Sequence, residues 1–575
     1  MHLRLLICVV LAGLCLPANA ALAQGGGPIM PLSQVQPGMQ CTGETVIQGT
    51  TISSFNVQVI DIVQAPGEGP RILVQVSGPA VDPSGVAEGF SGSPVYCPDS
   101  FGMLENAGAI SEGIGQYGNN IVLVTPIEQM LGEPVDPPAD LPRLAAKTTP
   151  LLAPLTVGGL SPSVFGLVQR AAARVGRLVV AAPTGGGQAT NFPVQPLIPG
   201  ASVSASYSSG DVPMGAVGTV TYVEGPTVYA FGHELDGAGR RSLLLQDAYV
   251  YYVVNNPDPT EQPSYKLASP GHTEGILSSD TPNAVIGEVG APPTTVPVDV
   301  SVNDLDTGQS QSLDTQVADE TDIGLPLGSS LVDTIAPLEV AQAATQIYDG
   351  PPADESGTMC LHIYLRESHQ PLGFCNRYVG TGTAGDEGSS PPELANAAST
   401  DVTTAFSDFE RVDYAALHVT HVVANLTASR GLAMGSILSA RAVGPVRAGS
   451  SVRVRLLVRI YRGPVRRVSF RIRVPRGANG PLAVTIHGPA APSPATANSL
   501  SSQLIVSLSA SGAPSGPATG TGPITSLDEL RDAIASIPTY DGLYANVAGQ
   551  ARKRVFRDPS LLITGRTTLV LLVKR

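Results

Sequence analysis

The run Gly89-Phe90-Ser91-Gly92-Ser93-Pro94 combines a serine with the glycines that a nucleophile turn requires. A serine hydroxyl is a poor nucleophile unless a base lies nearby and amide N–H groups point at the developing oxyanion. Gly89 can adopt a positive φ without steric cost, so the amides of Gly89 and Ser91 can point into one oxyanion hole. The same residues also suit an ordinary turn between two strands. From this run alone, nucleophilic catalysis and a simple turn both stay open.

A base for such a serine is His233, in the segment GTVTYVEGPTVYAFGHELDG. Its alternating apolar residues predict a hairpin that turns at Glu224-Gly225 and delivers His233 to the end of a strand. A neutral imidazole with an ordinary pKa of about 6.5 can accept the Ser91 proton at neutral pH. Without other context, a histidine beside a glycine at a strand end is typical of a surface residue.

Two blocks of the sequence resemble the SpoIVB (stage IV sporulation protein B) peptidase family, trypsin-like serine peptidases with a Gly-Met-Ser-Gly-Ser-Pro signature. GFSGSP with the downstream GAISEGIGQYGNNIVLVTPIEQML is similar to the family's serine half. FGHELDG with the later SYKLASPGHTEGILSSDTPNAVIGE is similar to its histidine half. Phe90 replaces the signature methionine, and the serine half precedes the histidine half, the reverse of the family's order. Catalytic triads do occur in several chain orders.

The resemblance implies a trypsin-like double β-barrel with Ser91 as nucleophile and His233 as general base. A third residue, an acid, would fix the histidine tautomer. Val76 stands at the family's aspartate position, so the acid is not assigned. Asp82 and Asp247 are two candidates, and a dyad without an acid is a third possibility.

The cysteines beyond the leader predict disulfides, because an even number in an exported chain is typical of them. They are Cys41, Cys97, Cys360 and Cys375. Of the three possible pairings we favour Cys41–Cys97, near the serine turn, and Cys360–Cys375 as a hairpin staple. The alternative is a metal site that adds His362 and His369, but its spacing matches no common zinc pattern. We predict no metal and no cofactor.

Composition and the N-terminus indicate an exported, mainly β protein. Residues 1–23 combine Arg4, an apolar stretch and small-residue cleavage sites, as a signal peptide does. No later apolar run is long enough to predict a stable membrane span after cleavage. Gly 63 and Pro 51 favour strands and turns over helices. The net charge of -14 disfavours nucleic acid as a partner.

The predicted organisation is a peptidase region followed by a β-sandwich-like region. SSVRVRLLVRIYRGPVRRVSFRIRV predicts a hairpin with one apolar and one cationic face, and we interpret the arginines as a solvated face rather than an anion site. The predicted segments are 1–23 signal peptide, 28–135 serine half, 136–198 linker and helix, 199–345 histidine half, 346–405 disulfide-containing connector, 406–490 β-sandwich-like domain, 491–524 Ala/Pro/Ser/Gly linker and 525–575 C-terminal helix and strand.

Two hypotheses about function follow. The first is an exported serine endopeptidase, secreted, periplasmic or envelope-bound, that cleaves a protein or peptide substrate; a variant of it is a peptidase that cleaves only itself, at its Pro/Gly linkers. The second is a non-catalytic exported binding or envelope protein that keeps a peptidase scaffold. A hydrogen bond between Ser91 and His233 would favour the first. The sequence indicates no particular oligomeric state.

Overall fold

The computed structural model describes most of the chain downstream of residue 26. The predicted signal peptide lies outside the described residues, and so does most of the predicted linker 491–524. The described residues are 27–574 without 66–68, 115–118, 139–140, 145–148, 152–153, 184–191, 257–262, 324–330, 349, 351, 382–390, 490–521, 538–541, 548–552 and 559.

Six antiparallel strands close into a first barrel, called barrel 1. They are β1 (Gln40–Gln48), β2 (Thr51–Ala65), β3 (Gly69–Ser77), β4 (Pro94–Pro98), β5 (Leu104–Gly113) and β6 (Ile121–Pro126). Their spatial order is β4-β1-β2-β3-β6-β5, and pairing of β5 with β4 closes the ring. Alternate residues face the core, as Phe55, Val57 and Val59 of β2 do. A short 3-10 helix, Leu32–Gln34, precedes the barrel.

A connecting region leads to the second barrel. It contains α1 (Ile127–Leu131), β7 (Thr149–Pro150), β8 (Leu155–Val157), α2 (Pro162–Arg174) and β9 (Val179–Ala181). Helix α2 has a proline in its first turn, where the missing N–H costs nothing. It covers the helix predicted within 136–198.

Barrel 2 repeats the design of barrel 1. Its strands are β10 (Ser202–Gly210), β11 (Met214–Glu224), β12 (Thr227–Ala230), β13 (Gly239–Val254), β14 (Tyr265–Thr281) and β15 (Ala284–Val289). Their order is β10-β13-β14-β15-β12-β11, and pairing of β10 with β11 closes the ring. In both barrels the six strands, numbered along the chain, therefore follow the cyclic order 1-2-3-6-5-4. The prediction of a mainly β fold with a double barrel is confirmed.

The two candidate catalytic residues occupy equivalent places in the two barrels. Ser91 lies between the third and fourth strands of barrel 1, and His233 lies between the third and fourth strands of barrel 2. The barrels pack on each other through a small apolar cluster in which Val46 of barrel 1 meets Val217 and Val250 of barrel 2.

A further sheet extends from barrel 2. Two new strands, β16 (Thr295–Asp304) and β17 (Ser310–Ala318), follow barrel 2 along the chain, and β17 pairs with β10. Three further strands, whose bounds are given below, continue the sheet beyond β16. A 3-10 helix, Thr321–Ile323, and helices α3 (Leu331–Gln346) and α4 (Glu393–Phe409) accompany it. The additional strands are β18 (Asp354–Leu365), β19 (Leu372–Thr381) and β20 (Val419–Arg430).

This sheet changes the predicted domain boundaries. The segment predicted as a connector, 346–405, supplies β18 and β19, which continue the sheet of barrel 2. Strand β20 falls in the segment predicted as a sandwich, but it pairs in parallel with β16 and antiparallel with β18. Partner choice between distant strands is a tertiary property that local patterning does not encode.

The C-terminal region is a sandwich of two four-stranded sheets with its own apolar core. Its strands are β21 (Met434–Val443), β22 (Ser451–Ile460), β23 (Val465–Arg473), β24 (Gly480–His487), β25 (Leu543–Val547), β26 (Lys553–Phe556), β27 (Leu562–Thr564) and β28 (Arg566–Val573). One sheet has the order β23-β22-β21-β27 and the other β26-β25-β24-β28. Strand β28 pairs with β24, so the final strand completes the sandwich. Helix α5 (Leu527–Ala535) lies in the same stretch of chain, but its Leu530 and Ile534 belong to the apolar core of barrel 2 and its extended sheet.

Both predicted disulfides are present. Cys41–Cys97 joins β1 to β4 across barrel 1, and Cys360–Cys375 joins β18 to β19. Because Cys360 and Cys375 are joined to each other, neither is free to bind metal in the alternative zinc site. These disulfides are compatible with an exported protein. Among the described residues, no helix is long and apolar enough to cross a membrane.

The two disulfides should differ in their contribution to stability. They close loops of 56 and 15 residues. Loop-closure entropy then predicts a loss of about 4 kcal/mol for Cys41→Ala/Cys97→Ala and about 3 kcal/mol for Cys360→Ala/Cys375→Ala. Urea unfolding and native-state hydrogen exchange of β1 and β18 measure the loss of unfolding free energy in each double variant. A larger loss from the second pair would contradict the entropic explanation.

Candidate functional site

The serine turn is held by backbone hydrogen bonds on all sides. Gly89 and Gly92 both have φ of 89°, which favours glycine. The amide of Phe90 donates to Ala87 O at 3.0 Å, and the amide of Gly92 donates to Ile110 O at 2.8 Å. The Ser93 hydroxyl donates to Phe90 O at 2.6 Å. These hydrogen bonds therefore fix the backbone conformation of the turn.

Gly92 also sits where the two barrels approach most closely. A Cβ on Gly92 would overlap the carbonyl oxygen of Thr219 in β11. The Thr219 amide donates in turn to Ser91 O at 2.9 Å, and the Thr221 hydroxyl donates to Gly92 O at 2.7 Å. Strand β11 of barrel 2 thus forms the floor beneath the turn of barrel 1.

Three polar groups at the turn have no hydrogen-bond partner in the part of the chain that the structure describes. The Ser91 hydroxyl is fully buried and unpaired. The amides of Gly89 and Ser91 donate to no described residue, although the amides of Phe90, Gly92 and Ser93 all do. Buried polar groups are rarely left unpaired because each costs about 1–3 kcal/mol. The unpaired groups are the nucleophile and the two oxyanion donors predicted from the sequence.

His233 is delivered by a strained turn. Phe231 and Gly232, which precede it, have φ of 69° and 68°. A left-handed phenylalanine is unusual and persists only where surrounding packing enforces it. A Cβ on Gly232 would lie 3.3 Å from Ile110 O, the atom that accepts from Gly92. The serine and histidine turns therefore meet on opposite sides of Ile110.

The structure brings these turns together but does not join the side chains in a hydrogen bond. The His233 ring is only 4% exposed. Its Nδ1 lies 2.5 Å from Glu234 O, and its Nε2 lies 3.3 Å from Leu151 O. A neutral imidazole has one N–H, so the short contact assigns the proton to Nδ1 and leaves the lone pair on Nε2. Burial lowers the pKa of His233, although both carbonyl contacts oppose this, so the ring is neutral at neutral pH.

Neither acid predicted from the sequence reaches His233. Asp82 accepts from Gly78 N at 2.7 Å and closes its own turn. Asp247 is fully buried, but it accepts from His272 Nδ1 at 3.0 Å, across the β13–β14 pair. It also accepts from Gln195 N at 2.8 Å.

The acids that influence His233 electrostatically are Glu112 and Asp280. Glu112 forms a buried ion pair with Arg71 at 2.8 Å. Asp280 accepts the amides of Leu235 and Asp236 at 2.7 and 2.9 Å, so it holds the loop that follows His233. Neither acid was a sequence candidate. Asp280 falls within the quoted segment SYKLASPGHTEGILSSDTPNAVIGE, but no local pattern marks it out, and only the fold brings it near His233.

Lys266 is a further residue that sequence reasoning missed, although it lies in the quoted SYKLASPG segment. It is buried beneath the turn, where Nζ donates to Thr45 Oγ1 at 2.9 Å and to Thr219 Oγ1 at 3.2 Å. Nζ also lies 4.9 Å from the centre of the Phe90 ring. Burial lowers the pKa of Lys266 to about 7. No carboxylate of a described residue forms an ion pair with it.

In comparisons with known proteins, no protein-family model, curated protein or solved structure matches the chain. A functional assignment therefore depends on the geometry of the site.

The contact between Gly92 and Thr219 predicts a position-specific effect of one methyl group. Gly102 is the matched control, because its φ is 83° and an added Cβ would contact nothing within 4 Å. We expect Gly102→Ala to cost about 1–2 kcal/mol of unfolding free energy, the usual cost of left-handed alanine. Gly92→Ala should cost more than about 4 kcal/mol, because backbone atoms must also move. Urea unfolding of both variants measures the difference, and equal losses would refute the close contact.

Proposed function

We propose that this chain is an exported serine endopeptidase of the SpoIVB-like type, with Ser91 as nucleophile and His233 as base. The observation that carries the proposal is the set of unpaired polar groups at the turn. A buried hydroxyl and two amides of buried residues that have no partner among the described residues are costly to fold, and a carbonyl carbon and its oxyanion would satisfy all three. The equivalent positions of the two turns in two like barrels add support.

The proposed reaction needs only groups of this chain, a peptide and water. Ser91 Oγ bonds to the scissile carbonyl carbon while its proton passes to His233 Nε2, and the amides of Gly89 and Ser91 bind the oxyanion. The C–N bond then breaks, and the amine leaves with the proton from Nε2. Water next attacks the acyl-enzyme by the same route and regenerates Ser91. The His233 ring must first exchange its contact with Leu151 O for one with Ser91, and such tightening on substrate binding is common.

Self-processing is consistent with the same site. Strand β7, from the chain's own connecting region, lies antiparallel on Glu112 and Gly113 of β5. The next residue, Leu151, donates to Ser111 O at 2.9 Å and turns its carbonyl to His233 Nε2. Extended peptides commonly bind by adding a strand in this way. We propose that substrates use the same edge of β5 once this segment withdraws.

A second candidate function is an exported binding protein on a peptidase scaffold. Two observations favour it: both His233 nitrogens face backbone carbonyls, and neither Asp82 nor Asp247 contacts the ring. In that case the buried Ser91 would have no role in turnover.

Labelling with a fluorophosphonate probe distinguishes the two functions. We expect the probe to label Ser91, located by mass spectrometry, and Ser91→Ala to abolish labelling. His233→Ala should slow it by about 10²–10⁴-fold, the usual contribution of a general base. Ser100→Ala and His369→Ala remove the same groups from exposed positions and should label normally. Folded wild-type protein that never labels would favour the binding protein.

A further inference from the structure

The cationic hairpin of the sandwich forms a continuous surface, which we call the arginine face. Strands β21 to β23 turn alternate residues outward, and the opposite side packs in the sandwich core. Seven arginines lie on the outer side: Arg441, Arg453, Arg455, Arg459, Arg467, Arg471 and Arg473. Two pairs stand directly opposite each other across neighbouring strands, Arg441 with Arg455 and Arg453 with Arg471.

Nothing in the described part of the chain neutralises this face. None of its seven arginines forms an ion pair or side-chain hydrogen bond with a described residue, whereas Arg466, on the other side of β23, pairs with Asp558 at 3.0 Å. The surrounding sequence explains this, because residues 414–527 contain twelve arginines but no lysine, aspartate or glutamate. The chain as a whole carries a net charge of -14. Positive charge is therefore concentrated in one region.

A face of like charges has an energetic cost that a surface of mixed charges avoids. Like charges directly opposite each other across strands destabilise a sheet. One acidic residue in each row would remove the repulsion, and the rest of the chain has 47 Asp and Glu. The guanidinium group is also the side chain best suited to hold sulfate, phosphate or carboxylate groups by paired hydrogen bonds.

We infer that the arginine face binds an extended anionic polysaccharide. Neighbouring strands place guanidinium groups about 4.8 Å apart, and alternate residues along a strand lie about 6.8 Å apart. This two-dimensional ladder matches a polymer with repeated anionic groups better than a single small anion. Leu457 is half-buried, and the exposed apolar residues Leu438 on β21 and Val465 on β23 are separated by β22, so they form no contiguous apolar patch to anchor in a membrane. The disulfides are compatible with an exported protein, and the net charge of -14 disfavours nucleic acid as the bound polymer.

The test compares two triple variants that remove the same charge from the full-length protein. Arg441→Gln/Arg453→Gln/Arg471→Gln removes three of the seven arginines of the face and breaks up both directly opposed pairs. Arg447→Gln/Arg462→Gln/Arg476→Gln removes three exposed arginines of the same region outside it. Binding to heparin and dextran sulfate is measured by calorimetry at rising salt, with uncharged dextran as the ligand control.

We expect the face variant to lose about 100-fold in affinity for both sulfated polymers, and the other variant less than about threefold. The face variant should also be at least as stable as the wild type, because it relieves like-charge contacts. Equal losses in the two variants would overturn a specific face. So would wild-type protein that binds neither polymer at low salt, or that binds only anionic lipid vesicles.

A second inference concerns Lys266 and rests on the proposed peptidase function. Thr219 holds the carbonyls on both sides of Phe90, through its hydroxyl to Gly89 O at 3.3 Å and its amide to Ser91 O at 2.9 Å. A charged ammonium only donates, so a Thr219 hydroxyl that accepts from Nζ keeps its own proton to donate, and Gly89 O at 3.3 Å is a nearer acceptor than Thr45 Oγ1 at 3.4 Å. A neutral amine could accept that proton instead and release Gly89.

We propose that Lys266 is a positioning residue whose ammonium fixes the Gly89 peptide through Thr219. The Lys266 stem packs against the turn, since a Cβ on Gly89 would lie 3.2 Å from Lys266 Cβ. The elements packed on Lys266 carry the acids Glu44 on β1, Glu88 before the turn and Asp247 on β13, and none of these acids forms an ion pair with Nζ. Burial alone lowers the lysine pKa to about 7 and raises that of Glu88 to about 8, so both groups titrate near neutral pH.

The pH dependence of Ser91 labelling tests this role. Lys266→Met should slow labelling about tenfold at pH 6, where the lysine is charged, and the difference from wild type should disappear above pH 8. Thr219→Val should be slow at every pH, while Thr219→Ser should match the wild type. Glu88→Gln removes the glutamate, so any pH dependence that remains in this variant does not come from Glu88. Lys553→Met removes an exposed lysine and should label as the wild type does.

A Lys266→Met effect that does not change with pH, or a Thr219→Val variant that labels normally, would overturn the positioning role. If Ser91 of the wild type never labels, the peptidase proposal fails separately. Amide hydrogen exchange of residues 89–93 then still tests Lys266, with faster exchange expected in Lys266→Met or Thr219→Val below pH 7. Unchanged exchange in both variants would contradict the inference.

Discussion

The site depends on one backbone contact between the two barrels. The Thr219 amide binds Ser91 O, and the Thr219 carbonyl lies so close to Gly92 that only a hydrogen fits between them. This contact fixes the distance from β11 to the serine turn. It also fixes the histidine turn, because β12 follows β11 in the same hairpin and leads to His233. Two barrels that fold on separate cores are thereby locked in one register where their chemical groups meet.

A few polar groups without hydrogen-bond partners distinguish this junction from an ordinary interface. The amides of Phe90, Gly92 and Ser93 find acceptors, yet those of Gly89 and Ser91 and the Ser91 hydroxyl find none among the described residues. Beneath them lies the buried Lys266, whose Nζ contacts two threonine hydroxyls and the Phe90 ring and forms no ion pair with a described residue. Folding tolerates such costs where packing is dense enough to enforce them. Preorganised groups of this kind are what oxyanion stabilisation requires.

The sandwich differs from the barrels in how its charged residues are arranged. Its core is separate from those of the barrels, and its outer sheet concentrates unpaired arginines in a chain that is acidic overall. In the barrels, by contrast, the buried arginines Arg71 and Arg241 are paired with carboxylates. Charge is therefore distributed by region, with paired charge around the candidate active site and unpaired charge on the surface of the appended domain. The two regions accordingly present different binding chemistry.

The sequence alone determined the elements whose physics is local. Glycines that need positive φ defined the serine turn, and the alternation of Val452 and Arg453 onward defined the cationic hairpin. The cysteine count left three possible disulfide pairings, of which position favoured the one that the structure contains. Only the tertiary structure decided which distant groups meet. Asp247 contacts His272 where the β13–β14 pairing is irregular, between Gln246 and Ala248, while Asp280 and Lys266 reach the site through barrel closure. Strand β20 joins the sheet of barrel 2, and β28 completes the sandwich. Such pairings depend on register and packing between residues far apart in the chain, and no local pattern records them.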